Sequence, residues 1–228
     1  MPTFVACVNP LMCPEIDCPG PGREPLSAAH VLDYLVSPDF DRSVEAFAKR
    51  YAEIRPSPEV LAVAPRETKI LEKLIWPLRQ AIGSYALANY LGCIAQCGMV
   101  GEMVAMLLWD ISKPQHQGHA MTASEQEALF GSSFEKLGQE RRVRVLATLG
   151  LIDDATKKAF DELRSIRKRY LHFLSQAHDN IADDARRSFS AAATLSKVAL
   201  GISFQNGAVV LRPELVEYLK ERGVLDPS

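Results

Sequence analysis

No charged residue occurs between Gln80 and Gly101, and this constrains the fold more than any other feature of the chain. A stretch of that length is long enough to span a bilayer. Ser84, Asn89 and Gln96 interrupt it, and Gly83, Ala86, Ala88, Gly92, Ala95 and Gly98 dilute its hydropathy. A helix apolar on all sides can instead form the centre of a bundle. The expected element is therefore a buried central helix running to about Ile111, with small residues that admit a close neighbour; a membrane span is the alternative.

The flanking segments supply that bundle. DFDRSVEAFAKRYAEI places Val44, Phe47, Ala48 and Tyr51 at helical spacing and is expected to turn them inward. AAHVLDYLV, after Ser27, is a second short helix. From about Arg66, Leu71, Leu74, Ile75 and Leu78 make an apolar stripe, which Pro77 should break or kink. KPQHQGHAMT is expected to be a loop, SEQEALFG a helix closed by Gly131, and SFEKLGQERRVRVLATLG a helix capped by Gly150. Asp153 and Asp154 can cap the next helix, with Leu163, Ile166, Tyr170, Leu174 and Ala177 on its inner face. Asp183 should cap an alanine-rich helix ending at Gly201. In ISFQNGAVVL, β-branched residues flank Asn206-Gly207, a strong hairpin signal. The expected fold is all-α: a lead-in and helical arm over 1–60, a helical bundle over 61–200, and a β-hairpin with a short helix over 201–228.

Composition narrows the function classes. The chain has 228 residues, 47% hydrophobic and 24% charged, with net charge −2, so it is not basic overall, and any nucleic-acid footprint must be local. Residues 135–169 hold ten Lys or Arg against six Asp or Glu, a surplus that a solvated helical face also produces. Five cysteines, an odd number in a chain too long to need disulfide staples, point to a reducing cytoplasm. The first residues, MPTFVACVNPLMCPEIDCPGPG, lack the pattern of a signal peptide.

The densest chemistry lies in RSIRKRYLH, where Arg164, Arg167, Lys168 and Arg169 precede His172. It follows GMVGEMVAMLLWDI with Glu102, and then FEKLGQERRVRVLATLGLI. Glu102 comes at the end of the charge-free stretch; if buried it needs a cationic partner, for which Arg167 is a candidate, and the alternative is that it sits at the helix surface. This order of an apolar helix with Glu, a Gly-Leu-Ile close and LRxIRxxxxH resembles the HEPN family of small nucleotide-binding helical bundles, over about residues 66–200. Many HEPN proteins are metal-independent ribonucleases whose signature is Arg, a polar residue, three others, then His. By position that implies Arg167 and His172 as the catalytic pair, with Glu102 and Lys168 supporting. Lys168 stands where the family usually has Asn, Asp or His, and it cannot accept a hydrogen bond as those can.

The residue types suit the implied reaction. Histidine titrates near working pH, at about 6.5, and can deprotonate a 2′-hydroxyl. Arginine clamps phosphate through planar donors that stay charged. Arg164 and Arg169 would hold the RNA backbone, and a 2′,3′-cyclic phosphate would result. Five residues turn an ideal helix through about 500°, leaving Arg167 and His172 about 140° apart. The family is thought to meet this by pairing two subunits across one cleft, so the resemblance implies a homodimer, RNA as substrate and, for toxin-like members, an inhibitory protein partner. It implies no cofactor. The second function class is a non-catalytic module of the same fold that binds nucleotide or a protein; a plain helical scaffold is the third. Cys7, Cys13, Cys18 and His30 contain zinc-ligand types at a spacing that matches no common zinc module. His116 and His119 show no third ligand nearby in sequence, and Cys93 and Cys97 share a helix face as core residues.

Overall fold

The computed structural model describes residues 41, 43–55, 71–171, 179–201, 203–205 and 208–223. The AAHVLDYLV segment, Cys7, Cys13, Cys18, His30, His172, Leu174, Ala177 and Asn206-Gly207 lie outside the described residues. The protein is all-α with small β-hairpins, in the order α1 (Val44–Ile54), α2 (Trp76–Ala86), α3 (Tyr90–Ser112), β1 (Gln115–His116), β2 (His119–Ala120), α4 (Ala123–Phe130), α5 (Gln139–Thr148), α6 (Asp154–Leu171), α7 (Ile181–Leu200), β3 (Ser203–Gln205), β4 (Ala208–Val210) and α8 (Pro213–Glu221). A π-helical turn, Leu71–Ile75, precedes α2, and a 3-10 turn, Phe134–Lys136, precedes α5.

The charge-free stretch is not one helix. α2 ends at Ala86, Ala88 takes a positive φ of 55°, and Asn89 opens α3 by accepting from the Gly92 N–H at 2.9 Å. Asparagine tolerates the non-helical backbone of an N-cap and satisfies one of the free N–H groups there. Pro77 falls in the first turn of α2, where its missing N–H costs nothing, and the π turn takes up the discontinuity before it.

α3 is the hub of the bundle: α2 and α7 make their largest packing interfaces with it, and α6 packs on both α7 and α3. By length and hydropathy it is apolar enough to cross a bilayer. Here Cys93, Ile94, Cys97, Val100, Val104, Ala105 and Leu108 are all buried among the neighbouring helices. The two thiols are free and internal, and the Cys97 thiol is pushed well up by the neighbouring Cys93 and by burial. Trp109 stacks on Phe134 with ring centroids 4.1 Å apart, which fastens the 3-10 turn to the end of α3. The helix expected from Ser133 therefore begins only at Gln139, because Leu137-Gly138 is extended.

Three other expectations change. α1 exposes Val44, Phe47, Ala48 and Tyr51 and buries Ile54. Polar contacts dock it: Arg50 Nε donates to the Ala86 carbonyl at 2.8 Å, and the Tyr85 hydroxyl to Glu53 at 3.2 Å. KPQHQGHAMT contains the short β1–β2 hairpin, since Gln117 and Gly118 both take positive φ, as a tight primed turn requires. α7 begins at Ile181, so Asp183 lies inside its first turn and pairs with Arg186. β3 and β4 pair antiparallel in the register Ser203 with Val210, as a hairpin in this segment demands. Gly131, Gly150 and Gly201 end their helices with positive φ.

Candidate functional site

An open groove of about 650 Å³ runs between α3, the start of α5 and α6. Its two long walls follow from helical spacing. On α3, Gly98, Gly101 and Glu102 stand at i, i+3 and i+4; on α6, Leu163, Arg164, Arg167 and Lys168 stand at i, i+1, i+4 and i+5. The two glycines set how close the walls come. A Cβ on Gly98 would lie 2.8 Å from Arg167 Cδ, and one on Gly101 would lie 2.7 Å from Leu163 Cδ2. Arg167 thus lies directly over the α3 backbone.

Arg167 donates through Nη1 to Glu102 Oε1 across the groove. The two side chains are 34% and 35% exposed, so the pair sits at the solvent boundary and not in the core. Glu102 thus has Arg167 as its partner although it is not buried. Arg164 is held differently. Its Nη1 donates to Glu140 Oε2 at 2.7 Å, and Nη2 lies 3.8 Å from Asp161. Gln139, the first residue of α5, donates from Nε2 to the Gly101 carbonyl at 3.2 Å and ties α5 to α3. Gln139 and Glu140 were not legible as site residues, because the sequence reading ran one helix from Ser133 through Gly138 and hid the helix start at Gln139.

Arg169 is not part of this groove. Two residues rotate the helix by about 200°, and Arg169 faces α7 instead. It donates to Asp184 at 2.6 Å and lies over the Tyr170 ring, 5.9 Å from its centroid. Asp184 is 2% exposed and accepts from Arg169, from the Tyr170 hydroxyl at 2.8 Å and from Arg187 at 3.0 Å. Three donors around one buried carboxylate satisfy it. Burial, and then the bond to Asp184, raise the Tyr170 phenol above its usual range. Of the four cations before His172, the structure brings Arg164, Arg167 and Lys168 to the groove and sends Arg169 to a structural joint; His172 lies outside the described residues.

A separate cluster forms on the β1–β2 hairpin. His116 and His119 are cross-strand partners, and their Nδ1 and Nε2 lie 2.8 Å and 3.1 Å from Glu125 Oε1. Glu125 Oε2 accepts from the backbone N–H and hydroxyl of Thr122 in a capping box. The His116 contact first, and then the Thr122 N–H, hold the Glu125 carboxyl down at about 2. Sequence spacing hid this acid because it belongs to the next helix. Among the described residues no group of three or more His, Cys, Asp and Glu is arranged to hold a metal ion.

Comparison with protein-family models, curated proteins and solved structures finds no match to the chain.

Proposed function

We propose that this chain is a HEPN-like endoribonuclease that cleaves RNA without metal, with Arg167 as the phosphate clamp and His172 as the general base. The supporting observation is the groove in which Arg164, Arg167 and Lys168 of one helix line an open surface of ligand size. A guanidinium one-third exposed, and paired with a carboxylate as exposed as itself, can exchange that partner for phosphate at little cost. Glu102 then positions Arg167 before substrate arrives. Two copies paired about a twofold axis would bring both Arg167–His172 motifs to one cleft. A toxin-like role in a cytoplasm, restrained by an inhibitory protein, accompanies this proposal.

The second reading, binding of a nucleotide or protein without cleavage, is favoured by one specific feature: Lys168 at the motif's polar position cannot accept the hydrogen bond that would orient a base. The deciding measurement is cleavage of single-stranded RNA by the purified protein in EDTA. The ribonuclease proposal expects a 2′,3′-cyclic phosphate product, lost in both Arg167→Ala and His172→Ala. Binding that depends on Arg167, with no cleavage, would select the second reading.

A further inference from the structure

A second cavity, of about 550 Å³, lies between the π-helical turn Leu71–Ile75, α3 and α8, and it shares no residue with the groove. Met103 lines it, rotated about 200° around α3 from Gly101. Its α3 wall is apolar. Met103, Met106 and Leu107 are half-buried and open to the cavity, and Leu74 and Leu219 add apolar surface from the other two elements. That wall ends in a charge. Asp110, also on α3 and half-buried, lines the same space. The Tyr218 hydroxyl donates to its Oδ2 at 3.3 Å, longer than a good O–H···O bond. Among the described residues Asp110 has no ion-pair partner. Arg222 lies over the Tyr218 ring instead, 5.3 Å from its centroid. Burial pushes the Asp110 carboxyl above its ordinary range, and the Tyr218 bond and the charge of Arg222 only oppose this.

The chemistry of the cavity selects its ligand. A carboxylate only accepts, so the ligand must donate to it. An anion would bring like charge beside Asp110, and its attraction to Lys73 and Arg222, both exposed, is weakened by water. A neutral apolar molecule would dry Asp110 further and give nothing in return. An ammonium group donates and carries the opposite charge, and its attraction is stronger where the carboxylate is partly dry. Met103 and Asp110 stand about 10 Å apart along the helix, the length of a short alkyl chain. Methionine side chains adapt to such a body. We propose that this cavity binds a primary alkylamine, its chain along Met103, Met106 and Leu107 and its ammonium group donating to Asp110. The site is independent of the RNA-cleaving groove and adds a second binding function to the chain.

The test is calorimetric titration of the full-length protein near neutral pH with hexylamine, hexanol and hexanoate, which share one chain length. Hexylamine should bind about tenfold tighter than hexanol, the margin of a hydrogen bond to a charged group, and hexanoate weakest. Asp110→Asn keeps the side chain's shape and an acceptor for Tyr218. It should remove the margin, leave hexanol affinity unchanged and keep the thermal midpoint. Met106→Ala should weaken hexylamine and hexanol alike. Equal affinity for hexylamine and hexanol would overturn the proposal in favour of a plain apolar slot. Tightest binding of hexanoate would overturn it in favour of Lys73 and Arg222 as the recognition groups. A margin that survives Asp110→Asn would place the amine on other acids, and no binding of any probe would leave the cavity without this function.

Discussion

Arg167 and Arg169 are two residues apart on one helix and sit in opposite environments. Arg167 lies over the glycines of α3 and pairs with a partly exposed Glu102. Arg169 reaches Asp184, which is 2% exposed and shared with Tyr170 and Arg187. The first carboxylate is solvated enough to release its cation. The second would be stranded by the loss of its donors. One cationic run therefore serves two purposes: a ligand-sized groove on one face of α6 and a joint between helices on the other.

The largest expected effect breaks the joint. Asp184→Ala should cost about 3 kcal/mol in urea unfolding, the low end for breaking a buried pair, because Arg169 and Arg187 can still reach water. A cost below about 1 kcal/mol would mean that α6 and α7 are held by apolar packing alone. Next comes the glycine stripe. Gly101→Ala meets the buried Leu163 and should cost about 1–3 kcal/mol, the range for overpacking. Gly98→Ala meets the flexible Arg167 side chain and should cost less, while displacing the guanidinium and, on the proposed function, weakening RNA binding. Equal costs at the two sites would contradict the packing described.

Glu102→Gln should change stability by about 1 kcal/mol or less, as for other surface ion pairs. It should strengthen the binding of polyanions at low salt, read by fluorescence anisotropy with a labelled oligonucleotide. Weaker binding would instead assign Glu102 an indispensable positioning role.

Two pH effects are smaller. The folded Tyr170 phenol is raised, so its contribution is present below the ordinary tyrosine value of about 10 and is lost as pH rises through the folded value. Tyr170→Phe should flatten that part of the alkaline stability curve, and an unchanged curve would detach Tyr170 from Asp184. Glu125 runs the other way. Its carboxyl is lowered from 4.5 to about 2, so its contribution is present above 4.5 and is lost as pH falls toward 2. Glu125→Gln compared with the native chain between pH 5 and pH 2 should show that loss disappear.

Local chemistry made much of this legible in the sequence. Period 3.6 identified the inner face of α6, since Leu163, Ile166 and Tyr170 are indeed buried. Gly131, Gly150 and Gly201 marked helix ends, and Asp153 caps α6 by accepting from the Thr156 N–H at 2.8 Å. Such signals act within one turn and need no partner. The break at Leu87–Asn89 was hidden because both flanking helices are apolar, so no change of pattern announced it. The outward face of α1 was hidden because an apolar stripe names a face but not the surface it meets.

The sequence by itself determined an all-helical chain, the glycines that admit a close neighbour and the cations that share a turn. It left open whether Glu102 needed a cation. Only the tertiary structure decided which cation meets which acid. Arg167 meets Glu102, Arg164 meets Glu140 and Arg169 meets Asp184, residues 65, 24 and 15 positions apart in the chain. Helical geometry fixes which side of α6 each arginine leaves from. What waits there depends on how α3, α5 and α7 pack around it, and that is set by burial of the whole apolar core and not by any local pattern.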